Sequence, residues 1–251
     1  MSRKAIIDIE SYIYKACACT STLVQLEGST YTEGYDLEKA KEYLTKLVDD
    51  VILATGADEY IVTMGSTKNY RKFINPNYKS NRKDSPRHPM LGMVTDLVFE
   101  LFETTYIPYL EADDVCRIIY EEDRFNNIIV SIDKDMKSFP CRLYNPDKPD
   151  KGIENISKEK AQANFFKQLI MGDKCDGYNG IPNYGEAKAS KLVENGITQQ
   201  EILDLYLANG LQESDFITTY NMARMIPKDS YSDGVVKLYN TKFNTTLERE
   251  V

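Results

Sequence analysis

Short apolar runs alternate with longer stretches of helical period along the first part of the chain. The runs "AIIDI", "EYIVTM", "TTYIPYL" and "NIIVSI" are rich in Ile, Val and Tyr. Between them, "YDLEKAKEYLTKLVDDVILATG" and "MLGMVTDLVFELFE" repeat their apolar positions with the period of a helix that buries one face. Strands alternating with helices predict βαβ units, hence an α/β fold with a mainly parallel sheet flanked by helices. Past "YNPDKPDKG", where Pro, Asp and Gly mark a boundary near residue 150, the signal turns almost wholly helical. The segments "SKEKAQANFFKQLIMG", "GEAKASKLVENG", "TQQEILDLYLANG" and "SDFITTYNMARMI" carry it. The expected organisation is an α/β domain over 1–150 followed by a helical region over 151–251, without internal repeats.

Composition narrows the chemistry. The 251 residues suffice for one large domain or a domain with an appendage, and 31 Lys plus Arg against 39 Asp plus Glu leave a net charge of −8. Any nucleic-acid-binding surface must therefore be local. Five cysteines, odd in number and without a C-x-x-C, suggest neither a disulfide framework nor a zinc cage and fit a reducing compartment. The opening "MSRKAIIDIE" puts an acid where a signal peptide would be apolar, and no stretch approaches the roughly 18 apolar residues of a membrane span. The expectation is a soluble cytoplasmic protein with no membrane partner. His88 is the single histidine, so a Ser-His-Asp or Cys-His mechanism would hang on one residue in a Pro-flanked basic segment.

The acids gather where an open parallel sheet binds its ligands, at the carboxyl ends of the strands. Asp8 closes the first run, Glu111, Asp113 and Asp114 follow "YIPYL", and Asp133 and Asp135 follow "NIIVS". Asp173 and Asp176 lie in the "GDKCDG" turn that opens the helical half. Each motif alone has an ordinary structural explanation: acids suit a first helical turn, and D-K-D and G-D-x-x-D-G are good turn chemistry. Their recurrence at strand ends is harder to explain so, because clustered carboxylates repel unless a cation compensates them. Oxygen donors without His or Cys select Mg²⁺ or Mn²⁺. Two such ions about 3.5 to 4 Å apart are the machinery for in-line displacement at a phosphodiester.

The counterpart is basic. "STKNYRKFINPNYKSNRKDSPRH" carries Lys68, Arg71, Lys72, Lys79, Arg82, Lys83 and Arg87 against one acid, with Tyr70, Phe73 and Tyr78 interleaved. Such pairing attracts phosphates and stacks bases, although a solvated loop would look similar. Further on, "GIPNYG" leads into a helix. Gly180 and Gly185 would let backbone N–H groups approach a phosphate there, with Lys188 and Lys191 adding charge, and an ordinary helix hairpin is the alternative.

Taken together, "NYRKFINPNYKSNRK", "LEADDV", "SIDKDMKSFP", "MGDKCDGYNGIPNYG" and, more weakly, "ESDFITTYNMARMI" resemble the 5′-to-3′ exonucleases of tailed phages, members of the flap endonuclease superfamily. The resemblance covers nearly the whole chain. It implies a parallel-sheet nuclease domain with a basic arch at about 66–90 over the active site. A helix-hairpin-helix type turn at 172–191 would grip duplex DNA, and this turn often holds K⁺. It implies two Mg²⁺ (or Mn²⁺), the first held by Asp8, Glu111, Asp113 and Asp114 and the second surrounded by Asp133, Asp135, Asp173 and Asp176. Lys79 and Arg82 would act on the scissile phosphate, Tyr78 would stack on a base, and Arg71, Lys72 and Lys83 would join it in contacting DNA. The implied activity is hydrolysis near 5′ ends or flaps of duplex DNA, extending to RNA in RNA–DNA hybrids, in the host cytoplasm.

The chain departs from the pattern at one place. Where the family carries an Asp after the second strand, "YIVTMGSTKNYRK" offers Gly65 or Ser66. Glu10, two residues beyond Asp8 and on the same face if the strand persists, is the candidate replacement. Two rivals follow: a DNA-junction binder that has lost efficient chemistry, and a magnesium phosphatase of small molecules, which would leave the basic segment and the glycine hairpin unexplained.

Overall fold

The computed structural model describes residues 2–25, 31–82, 86–240 and 247–249. Chain order begins with β1 (Lys4–Asp8), α1 (Glu10–Thr20), an antiparallel hairpin of β2 (Ser21–Gln25) and β3 (Tyr31–Tyr35), α2 (Leu37–Thr55) and β4 (Glu59–Thr63). It continues with α3 (Arg71–Ile74), α4 (Leu91–Leu101), β5 (Thr104–Thr105), α5 (Ala112–Tyr120), β6 (Asn127–Val130), β7 (Cys141–Tyr144) and β8 (Ile153–Ile156). The remainder comprises α6 (Lys158–Met171), β9 (Gly172–Asp173), β10 (Tyr178–Asn179), α7 (Glu186–Glu194), α8 (Gln199–Ala208), α9 (Glu213–Ala223), β11 (Tyr231–Ser232), β12 (Val235–Leu238) and β13 (Leu247–Arg249).

The main sheet has the order β5-β4-β1-β6-β7-β8, parallel throughout except for the β7–β8 pair. Its central strands are apolar on both faces because both faces are covered. Ala5, Ile7, Ile128 and Val130 point into a core shared with α1, α2 and α4, whereas Ile6 and Ile129 point into a second core with Phe139, Leu143 and Ala161. A third core, built on Phe166, Leu169, Ile170, Ile202, Tyr206 and Phe216, holds α6 to α9 together. Caps mark the helix ends. Asp36 accepts from the Glu38 N–H at the start of α2, Gly56 closes α2 at φ +61°, and Ser157 opens α6.

The parallel α/β layer is as the apolar pattern predicts, and three local features differ. "YIPYL" is a turn with Tyr109 at φ +66°, so only Thr104 and Thr105 pair with β4. The β2–β3 hairpin and the β11–β13 strands escape the periodicity, the latter lying in a region expected to be helical. A division at residue 150 would also cut the sheet, since β8 lies beyond it and pairs with β7 from Cys141–Ile156 to Tyr144–Ile153.

Candidate active site

The chain leaves β1 for β4 on one side and returns to place β6 on the other, which makes the carboxyl ends of β1 and β6 the topological switch point. A cavity of about 400 Å³ opens there, lined by Asp8, Glu10, Glu111, Asp113, Asp133, Asp135, Asp173 and Asp176, with Lys79, Lys134 and the exposed ring of Tyr14. Seven of the eight predicted metal ligands thus share one cavity with Glu10. Among the described residues no three His, Cys, Asp or Glu side chains are grouped closely enough to form a ready-made metal cage. The acids ring the space.

On the sheet side, Ser131 links two of them. Its hydroxyl donates to Asp8 Oδ2 at 2.9 Å and accepts the Asp133 N–H at 3.0 Å. Burial, then Glu10 and Asp133, push the Asp8 carboxyl up to about 7. Burial and Asp133 also carry Asp135 up to about 7, although Gln168 Nε2 donates to it at 2.6 Å. Ser131 and Tyr14 escaped the sequence reading. Ser131, next to the strand-end acids, offered only its position as a signal.

On the α5 side the arrangement differs from expectation. Asp114 is fully buried and does not line the cavity; its Oδ2 and Oδ1 accept from Arg71 at 2.7 and 2.9 Å, and Oδ1 also accepts the Ile226 N–H at 2.8 Å. With these partners it is a structural acid, correcting its assignment as a metal ligand. Glu111 and Asp114 also form the capping box of α5, so part of the reason for "EADD" is helix initiation. Glu111 Oε2 accepts from Arg71 at 2.9 Å and from the Tyr78 hydroxyl at 2.6 Å, while Lys79 Nζ meets Oε1 at 2.5 Å. Burial alone would raise Glu111, but Arg71 and Lys79 outweigh it and hold it at about 2. Asp113 is pushed well above the ordinary range by burial and by Asp114.

Several DNA contacts expected of the basic segment change role. Arg71, 2% exposed, is spent on Asp114, Glu111 and the Met222 and Arg224 carbonyls, which removes it from the DNA surface. Tyr78 is 3% exposed with its ring in the core of the helical region, so it offers no face to a base; Phe73, 59% exposed, is the open aromatic there. Lys72 is exposed as expected. Lys83 lies outside the described residues, as does the side chain of Arg82, whose backbone ends the 3-10 turn Ser80–Arg82.

At the glycine hairpin the two predicted positions part. A Cβ on Gly180 would lie 2.3 Å from the Ile170 carbonyl and 2.4 Å from Gly172 N, so this glycine permits a backbone crossing and is walled off from a phosphate. Gly185 has open space around it, stands at the N-cap of α7, and is followed by the exposed Lys188 and Lys191.

The substitution site is also filled. Gly65 N–H donates to Glu10 Oε1 at 2.9 Å, and a Cβ on Gly65 would come within 2.7 Å of that oxygen. Glu10 therefore brings a carboxylate beside the position where the pattern lacks one.

In fold and in sequence the chain is similar to known exonucleases. Its particular relatives are phage enzymes. The exodeoxyribonuclease of Enterobacteria phage T3 is 30% identical over 173 residues, covering 64% of this chain and 54% of that protein. The exonuclease of Escherichia phage T7 is 31% identical over 152 residues, or 55% and 48% of the two. The matches thus span about half the length of these curated relatives. Among solved structures, the T5 5′-exonuclease with bound divalent zinc superposes with a TM-score of 0.61 at 15% identity, over 86% of this chain and 89% of that one. The Rad2 catalytic core in complex with DNA substrate gives 0.51 at 14%, over 88% and 78%. No protein-family profile matches the chain.

Proposed function

We propose that the protein is a divalent-metal-dependent 5′ nuclease that hydrolyses phosphodiesters near 5′ ends or flaps of duplex DNA. The observation that carries this reading is the convergence of eight carboxylates on one cavity at the switch point, with Lys79 and Lys134 as the lining cations. A surface of like charge is costly unless cations enter it, and the oxygen-only donor set suits Mg²⁺ or Mn²⁺. Two such ions, when bound, would supply the Lewis-acid charge that draws in the phosphodiester and activates water. Asp8, Glu111 and Asp113 would hold one, with Glu10 beside Gly65 supporting it, and Asp133, Asp135, Asp173 and Asp176 would surround the other.

The rest is the chain's own chemistry. Lys79 places an ammonium at the cavity, where it takes up charge on a phosphate oxygen, and Arg82, in the same segment of sequence, would share that role. Lys72, Lys188 and Lys191 neutralise the DNA backbone, and the start of α7 at Gly185 receives a phosphate. The hairpin turn is the place for K⁺, and RNA in RNA–DNA hybrids is a further substrate. Among the described residues no helix is long and apolar enough to cross a membrane, and we assign the activity to the cytoplasm. A junction binder without chemistry is disfavoured, since such a protein gains nothing from carboxylates facing phosphates.

The test is a 5′-labelled duplex incubated with Mg²⁺ or with chelator, with product lengths resolved. Short labelled products that require Mg²⁺ are expected; an intact duplex under both conditions contradicts the reading.

A further inference from the structure

The segment 75–81 and the turn 175–177 are stitched together more closely than either predicted role requires. The Lys79 N–H donates to the Asp176 carbonyl at 2.9 Å, with Lys79 held at φ +52°. Asn75 Nδ2 donates to the Gly177 carbonyl at 3.3 Å and Asn81 Nδ2 to the Cys175 carbonyl at 3.2 Å. Gly177, at φ +77°, allows the approach: a Cβ there would lie 2.7 Å from the Asn77 carbonyl. At the centre stands Tyr78, whose hydroxyl lies 2.6 Å from Glu111 Oε2 and 3.2 Å from Asp176 Oδ2.

We propose that the Tyr78 hydroxyl is a positioning group that fixes the separation of Glu111 and Asp176, joining the acids of the sheet layer to those of the helical region. The ring is anchored in the core that also holds Phe166, Leu169 and Ile181, so its oxygen is set by packing. Glu111 is held from its other side by Arg71, which makes Arg71–Glu111–Tyr78–Asp176 a continuous rigid path. A phenol has one hydrogen, which Tyr78 shares unequally between the two carboxylates, the shorter contact giving Glu111 the larger part. One hydroxyl thereby ties both acids to the same point without neutralising either. Lys79 Nζ, 2.5 Å from Glu111 and 3.9 Å from Asp176, supplies charge across the same gap. The hydroxyl lies inside the fold against Glu111 and Asp176, so its effect runs through the carboxylates it spaces.

This inference rests on the metal-dependent reading above, and its test separates the two. Tyr78→Phe keeps the ring and removes only the oxygen. Mn²⁺ affinity is measured by calorimetry on the DNA-free protein, alongside kcat and KM for a flap duplex, duplex affinity in chelator and thermal midpoint. We expect Mn²⁺ affinity and kcat to fall by about tenfold or more, the range for losing an outer-shell partner. KM, metal-free duplex affinity and the thermal midpoint should stay near those of the parent. Gly177→Ala, which pushes the two segments apart at Asn77, should weaken Mn²⁺ binding in the same direction. Parent-like Mn²⁺ affinity and kcat in Tyr78→Phe overturn the positioning role while the nuclease reading stands. A parent that neither binds Mn²⁺ nor cleaves overturns both.

Discussion

Glu111 on one wall of the cavity and Asp8 and Asp135 on the other are carboxylates handled in opposite ways. On the α5 wall, Glu111 is held at about 2 because Arg71 and Lys79 supply positive charge from within the chain. On the sheet wall, Asp8 and Asp135 are pushed up to about 7, by burial first and then by neighbouring acids, with Ser131 and Gln168 giving hydrogen bonds and the exposed Lys134 offsetting Asp135 only in part. Burial raises all three carboxyls; the difference is whether the fold brings cations into direct contact with them. Where it does, as at Glu111, the carboxylate stays ionised beside its own partners. Where it does not, an external cation gains most.

The largest expected effects probe the open wall. Asp133→Asn and Asp173→Asn remove ligand charge without adding bulk, and each should lower the cleavage rate by more than about 100-fold, beyond the range of an outer-shell loss, with duplex binding largely kept. Single-turnover rates and a binding titration in chelator check this, and parent-like turnover in both variants would break the two-metal assignment.

The paired wall is probed by stability. Arg71→Ala leaves Asp114 buried without its partner, and such broken pairs cost roughly 3–5 kcal/mol. Urea unfolding of the metal-free protein should show a loss of that size. A loss under about 1 kcal/mol, typical of a surface pair, would mean that Arg71 is not the cation that holds this wall.

Next in size is the pH dependence of the metal-free protein. Between the unfolded carboxyl value of 3.8 and about 7, folded Asp8 and Asp135 keep protons that the unfolded chain has released. Their contribution to stability therefore falls as pH rises through this window, by roughly 4 kcal/mol for each. Glu111 contributes in the opposite sense: its stabilisation is present above 4.5 and is lost as pH falls toward about 2. Asp135→Asn should flatten the fall between pH 4 and 7 in unfolding curves and raise metal-free stability at pH 8, although it harms cleavage. An unchanged slope would remove the contrast between the walls.

The smallest effect lies outside the cavity. Lys188, whose Nζ donates to the Asn183 carbonyl at 2.9 Å, is exposed, and Lys188→Ala should weaken duplex binding modestly and reduce its salt slope by about 1 with little effect on rate.

Much of this was legible in the sequence, for reasons that differ by residue. Asp8, Asp133 and Asp135 follow apolar runs whose strand nature is plain, and strand ends in a parallel sheet converge by topology alone. The roles of Asp114, Arg71 and Tyr78 are not encoded locally, because they depend on which way a side chain points once distant segments meet. Arg71 bonds a carbonyl at Met222, some 151 positions away, and no local pattern encodes that. Gly180 looked like a phosphate contact because glycine serves close approach of either a ligand or another backbone, and only the crossing at Gly172 decides between them. β11–β13 run two to four residues, too short to show a period, and β2 (STLVQ) and β3 (YTEGY) lack an apolar run.

The contrast between the walls is tested most directly by calorimetric titration of Mn²⁺ into the DNA-free parent, Asp135→Asn and Asp114→Asn at pH 7.5, with folding of each checked by thermal unfolding. Binding that is weakened by Asp135→Asn and kept by Asp114→Asn in the folded protein places the ion on the open wall. Binding untouched by Asp135→Asn but abolished in a folded Asp114→Asn would make Asp114 the ligand and contradict the account.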